Sequence, residues 1–200
     1  MADVNYARFC DSAYGCADQD ASLVAEHWRP LPAMPKAKLW VQGNLVVAAF
    51  RGTVPSDAAD LADDALLAFG NEAKSLRFQS CRRWVLGLVR QHPHARVIVT
   101  GHSLGGSIAL FCCYGVPAVK LGHCYNPFAS STMIVNSHVS RLVSYFVSRI
   151  GTYYAAICHT SFYDPINAGV AYMAQVTVDQ RTFPGTLGNP VAAHLLSNWL

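Results

Sequence analysis

Charge is what this sequence has least of. Only 14% of its 200 residues are charged, 52% are hydrophobic, and the formal net charge is +3. A chain this apolar can bury a real core, which excludes the disordered class. A balance this close to neutral provides no polycationic surface, so nucleic acid is not expected as a partner. Long apolar runs are also missing. Val46–Phe50 and Ile108–Tyr114 are far too short to span a bilayer. The first residues carry Asp3, Arg8 and Asp11, with no basic start leading into an apolar core, so no signal peptide is read. The expectation is a cytoplasmic protein, or a secreted one if a precursor segment has been removed.

Ligand spacing for a metal is lacking too. The seven cysteines are odd in number and include the adjacent pair Cys112–Cys113 in an apolar run, which does not make a disulfide framework. Buried reduced thiols are the expectation. Cys158 and His159 are neighbours, and neighbours on a strand point to opposite faces. No metal and no organic cofactor is called for.

What is present alternates strand with helix, which predicts an α/β architecture in one domain spanning residues 1–200. Tyr6–Ala17 reads as a first helix, followed by an irregular approach through Pro30, Pro32 and Pro35. Leu39–Val41 and Leu45–Phe50 flank Gln42-Gly43-Asn44 as a hairpin. Ser56 is placed to cap a helix running to Phe69. Its Ala58, Leu61, Ala62, Ala65, Leu66 and Phe69 share one face, and Asp57, Asp60 and Asp64 the other. Glu72–Gln91 reads as a helix with Leu76, Trp84, Val85 and Leu88 inward and Arg77, Arg82, Arg83 and Arg90 on a solvated face. Arg96–Thr100 is a buried central strand and Ser107–Tyr114 a buried helix. Val119–Tyr125, Tyr153–Cys158 and Tyr172–Val178 read as strands, and Ser137–Ile150 and His194–Leu200 as helices.

Between the central strand and the buried helix lies Gly101-His102-Ser103-Leu104-Gly105, a G-x-S-x-G sequence. Its context is the one a nucleophilic serine needs: a β-branched strand before, a helix after. Glycines two residues to either side of Ser103 leave room for a sharp corner. The N–H of Leu104 then lies at a helix N-terminus, where it can stabilise an oxyanion. The turn lacks the lysine of a phosphate-binding loop.

These residues resemble the class 3 lipases, the group that includes the fungal triacylglycerol lipases. Thr100–Gly106 is similar to the TGHSLGG core of that family, and Val46–Thr53 to its strand ending in F-R-G-T. Asp60 and Asp63, Tyr6–Cys16, Asp164-Pro165-Ile166 and His194–Leu200 resemble further family segments. The chain departs at Asn126-Pro127, where the family has G-x-P, and at Asp60-Leu61, where it has D-W. The resemblance implies a compact α/β-hydrolase fold, a mostly parallel sheet flanked by helices. It also implies that Thr53 supplies the second oxyanion N–H, with its hydroxyl available for a third bond.

In that fold the triad runs Ser, Asp or Glu, His. Only Asp164 and Asp179 follow Ser103 among carboxylates. Asp164, on a loop after a strand, is preferred as the acid, and Asp179 reads as a solvated residue ending a hairpin strand. His194 is the one histidine after Asp164 and becomes the base. His102 is read as packing, with its ring turned from Ser103. His123, His138 and His159 are read as structural, and His92 and His94 as exposed. Residues 56–69 are either a lid over the pocket or a surface helix packed on the core. The expected activity is hydrolysis of lipid or small esters through an acyl-enzyme, with transient contact at a lipid interface. The alternatives are a phospholipase, thioesterase or acyltransferase using the same triad, or a lipase-like binding or signalling module without catalysis.

Overall fold

A computed structural model describes residues 4–116, 118–119, 121–138, 155–161, 164–173, 176–181, 183 and 194–200. These build one seven-stranded sheet in the order β1 (Arg29–Leu31), β2 (Ala37–Gln42), β3 (Leu45–Phe50), β4 (Arg96–His102), β5 (Leu121–Tyr125), β6 (Ala155–Ser161), β7 (Val176–Arg181). The first two pairings are antiparallel, and every pairing from β3 to β7 is parallel. Pro30 sits in β1, the edge strand, where a missing N–H is tolerated. The β2–β3 hairpin turns at Gly43, whose φ of 56° favours glycine.

The central strands are buried on both faces. In β3, Val46, Ala48 and Phe50 pack toward one layer, while Leu45, Val47 and Ala49 pack toward the other. The first layer holds α4 (Leu76–Gln91), α5 (Leu104–Gly115) and the helical residues 131–138. The second holds α1 (Ala7–Ala13), α2 (Ala17–Ala25) and the C-terminal Leu196 and Trp199.

Several boundaries differ from the sequence reading. The first helix stops at Ala13, because Gly15 takes φ 94°, and α2 and β1 fill what read as an irregular approach. The fourth helix starts at Leu76, capped by Ser75, whose hydroxyl accepts the Phe78 N–H; Leu76 is exposed rather than inward. Strand β5 begins at Leu121. Tyr172 ends a 3-10 segment (Pro165–Tyr172), and the strand that follows is Val176–Arg181, parallel to β6 rather than half of a hairpin. The C-terminal segment is a 3-10 turn, Leu196–Trp199, after a helical residue at His194. Helix over 139–150, strand at 153–154 and the approach through 190–193 lie outside the described residues.

The largest departure is α3 (Ala58–Ala68). Its cap is Asp57, whose carboxylate accepts the N–H groups of Ala59 and Asp60, not Ser56. Its orientation is the reverse of the usual one. Leu61 and Phe69 are 50% and 81% exposed, whereas Asp60 is fully buried. The cause is three cations from other elements. Asp60 pairs with Lys36 at 2.7 Å, Arg77 at 2.6 Å and Arg51 at 2.9 Å, and it accepts the Val54 N–H at 3.0 Å. Burial alone would raise the Asp60 carboxyl, but the Lys36 and Val54 hydrogen bonds and the Arg77 charge bring it below the ordinary carboxylate value. Arg77 therefore belongs to a buried ion cluster and not to a solvated face.

Candidate active site

The parallel strands deliver the site at their carboxyl ends, where α/β sheets bind ligands. Ser103 follows β4 at φ 56°, ψ −126°, a conformation L-residues rarely take. The corner is held by close packing. A Cβ on Gly101 would meet the Gly105 backbone at 2.2 Å, and one on Gly105 would meet the Phe50 carbonyl oxygen at 2.2 Å. The Ser103 N–H donates to the Tyr125 carbonyl at 2.9 Å, tying the corner to β5.

Asp164, after β6, and His194, near the C-terminus, reach the same point. His194 Nδ1 lies 2.6 Å from Asp164 Oδ2, and its Nε2 lies 2.8 Å from Ser103 Oγ. A carboxylate only accepts, so Nδ1 carries the proton and Nε2 is free to accept the Ser103 hydroxyl. The Asp164 side chain is fully buried and that of His194 is 19% exposed. This acid–base–hydroxyl line can deprotonate a serine as it attacks, and can steady the imidazolium that forms.

The chain leaving β3 lies against the start of α5, since Phe50 pairs with Gly101 and Gly105 touches Phe50 and Arg51. Thr53 and the Leu104 N–H thus flank the corner. The Thr53 hydroxyl donates to Asp64 at 2.7 Å. With its one proton spent on Asp64, the third bond expected of it is unavailable. Asp64 and Asp60 together fasten residues 53 and 54 to the acidic face of α3.

Among the other histidines, His102 does more than pack. Its ring reaches the His194 carbonyl through Nε2 at 2.7 Å and Tyr14 through Nδ1 at 3.2 Å. Asn126, where β5 ends, donates to the same carbonyl at 3.1 Å. Neither role was legible in the motif. The signal for Asn126 is an asparagine in a turn before proline, at φ 44°, a region asparagine tolerates better than most residues. His159 pairs with Asp179 at 3.0 Å and approaches His123 at 3.2 Å, so Asp179 is a partnered residue within β7 and not a solvated strand end. His138 Nε2 lies 2.9 Å from the Tyr172 carbonyl. All seven cysteines are free, and all but Cys16 are buried. Among the described residues no cluster of histidine, cysteine or acid is arranged to hold a metal ion.

The sheet, the corner after its fourth strand and the helices on both faces define an α/β-hydrolase fold. Residues 65–132, which contain the corner, match the family described as lipase (class 3). Three solved structures share the fold. A Rhizomucor miehei lipase in its propeptide complex superposes with TM-score 0.53 at 16% identity, covering 88% of this chain and 65% of that one. The chain thus spans about two thirds of that lipase. A Penicillium expansum triacylglycerol lipase gives 0.52 at 11% identity, with 89% and 77% covered. MDLA from Penicillium cyclopium gives 0.53 at 16%, with 90% and 78% covered. No curated protein matches the chain.

Proposed function

We propose that the protein is a serine ester hydrolase acting on lipid esters, of the kind the similar triacylglycerol lipase is named for. Ser103 attacks the acyl carbonyl while His194 takes its proton. Asp164 holds the imidazole in the required tautomer and balances its positive charge. The N–H groups of Leu104 and Thr53 receive the oxyanion, and water then releases the acyl group through His194. One observation carries the reading: hydroxyl, imidazole and carboxylate stand in hydrogen-bonding line at 2.8 and 2.6 Å on a glycine-flanked corner.

A lipid surface as partner is favoured by the outward apolar side of α3. Leu61 and Phe69, with Leu76 at the start of α4, are all at least half exposed. Among the described residues no helix is long and apolar enough to cross a membrane.

The test is labelling with a fluorophosphonate, alongside hydrolysis of p-nitrophenyl esters of increasing chain length. Wild type is expected to label and to hydrolyse; Ser103→Ala is expected to do neither. Hydrolysis persisting in Ser103→Ala, or a wild type inert to every ester and to the probe, removes the proposal.

A further inference from the structure

A catalytic histidine is only as well placed as the backbone that carries it. Two donors converge on the main-chain carbonyl of His194: His102 Nε2 at 2.7 Å and Asn126 Nδ2 at 3.1 Å. Both lie at the carboxyl end of the sheet, which also carries Ser103. His102 ends β4, directly before the nucleophile, and Asn126 follows β5. Both are buried, at 7% and 0% exposure, so neither donor has bulk water as an alternative partner.

The direction of each bond is fixed by chemistry. A carbonyl only accepts, so His102 Nε2 carries the proton and the neutral ring presents Nδ1 as an acceptor. Tyr14 Oη, 3.2 Å from Nδ1, therefore donates. Tyr14 packs closely on Gly52, where a Cβ would lie 2.0 Å from Tyr14 Oη and 2.5 Å from the His102 carbonyl oxygen. A one-way chain results: Tyr14 O–H to His102, His102 N–H to the His194 carbonyl. It runs from Tyr14, through the residue before Ser103, to the base itself. Asn126 is held from its other end, with Oδ1 accepting the Ser161 N–H at 2.9 Å.

We propose that His102 and Asn126 are positioning residues that clamp the His194 carbonyl, and that Tyr14 fixes the His102 ring for this task. The clamp rests on the reading of His194 as the base. It acts on placement of the imidazole and not on substrate binding. Its loss therefore falls on turnover, because a misplacement of about 1 Å can cost up to about 100-fold in rate. From the sequence alone His102 reads as packing; here the space it fills includes the anchor point of the base.

The experiment uses the full chain with p-nitrophenyl butyrate, and proton NMR of the low-field Nδ1–H of His194, identified by its disappearance in His194→Ala. His102→Leu and Asn126→Asp, each lacking the donor, are expected to lower kcat by about 10- to 100-fold with KM within about twofold. His102→Gln, whose amide can reach the position of ring Nε2, is expected to recover most of the loss. The low-field signal is expected to broaden or shift in His102→Leu and to return in His102→Gln. Unchanged kcat and an unchanged signal in His102→Leu and Asn126→Asp overturn the clamp. A loss that appears wholly in KM, or that Gln does not recover, overturns it as well. If His102→Leu does not fold, Tyr14→Phe and Asn126→Asp carry the same two readouts. An inert wild type would remove the hydrolase reading alone, and the NMR signal would still decide the clamp.

Discussion

Asp60 shows what a single residue contributes. Its carboxylate gathers Lys36, Arg51 and Arg77 and takes the Val54 N–H, all without exposure to water. Removing one partner of a buried ion cluster leaves the others uncompensated, at a cost of about 3–5 kcal/mol. Asp60→Ala is expected to lose about that much in urea denaturation, and Asp60→Asn somewhat less, since the amide keeps some of the hydrogen bonding. An unchanged midpoint for Asp60→Ala would show that the cations find water instead. Single residues also mark what the sequence makes legible. Ser103 was readable because the glycines that a tight corner demands lie within two positions of it. That Asp164 and His194 come together beside it was readable because two acids follow Ser103 and a single histidine follows Asp164. His102 and Asn126 were not, because their partner is a backbone carbonyl, which leaves no trace in residue type.

At the scale of elements, α3 is the instructive case. Its two-sidedness was plain from residue spacing, yet the side that turns inward was not. Apolar periodicity predicts an inward apolar face only when nothing stronger competes. Here the competing charges sit in a loop (Lys36), after a strand (Arg51) and on another helix (Arg77), so none lies on the helix whose periodicity is being read. The helix is thereby fastened by its acids and presents Leu61 and Phe69 outward. The double change Leu61→Ser, Phe69→Ser removes apolar surface that is already wet. Its stability is expected to stay within about 0.5 kcal/mol of wild type. Its rate on an emulsified triglyceride is expected to fall several-fold while that on soluble p-nitrophenyl butyrate holds. Equal loss on both substrates would mean that this face serves the site and not a surface. The strands were legible where they are buried on both sides, as in β3 and β4. The edge strand β1 and helix α2 were missed because prolines and charged residues obscure any period there.

For the whole molecule, buried histidines set the response to acid. Burial, then the neighbouring His194, lowers His102 to about 4; burial, then His159, lowers His123 to about 3; burial also lowers His159 despite Asp179. The unfolded chain protonates all three near pH ~6.5. Between that value and the folded ones it binds more protons, so stability falls as pH falls, by about 1.4 kcal/mol per pH unit for each histidine. Asp57, lowered to about 2 chiefly by the Lys36 hydrogen bond, and Asp60, also lowered, extend the loss below about pH 4. Asp64, raised by burial, contributes stability that is lost as pH rises and so opposes them. The urea midpoint is expected to drop steeply from pH 6 to about 4, and His123→Gln to flatten that slope. A midpoint constant across this range would show that the histidines are not held neutral.

Separation along the chain is also separation in time. His194 lies 91 positions after Ser103, and Asn5 at the other end donates to the Trp199 carbonyl at 3.2 Å. During synthesis the first domain segments emerge first. A growing chain that ends shortly after the serine corner therefore has neither Asp164 nor His194 beside it. On the proposed function, reactivity waits until the late segment docks against the earliest one, so an unfinished chain holds its serine without a base.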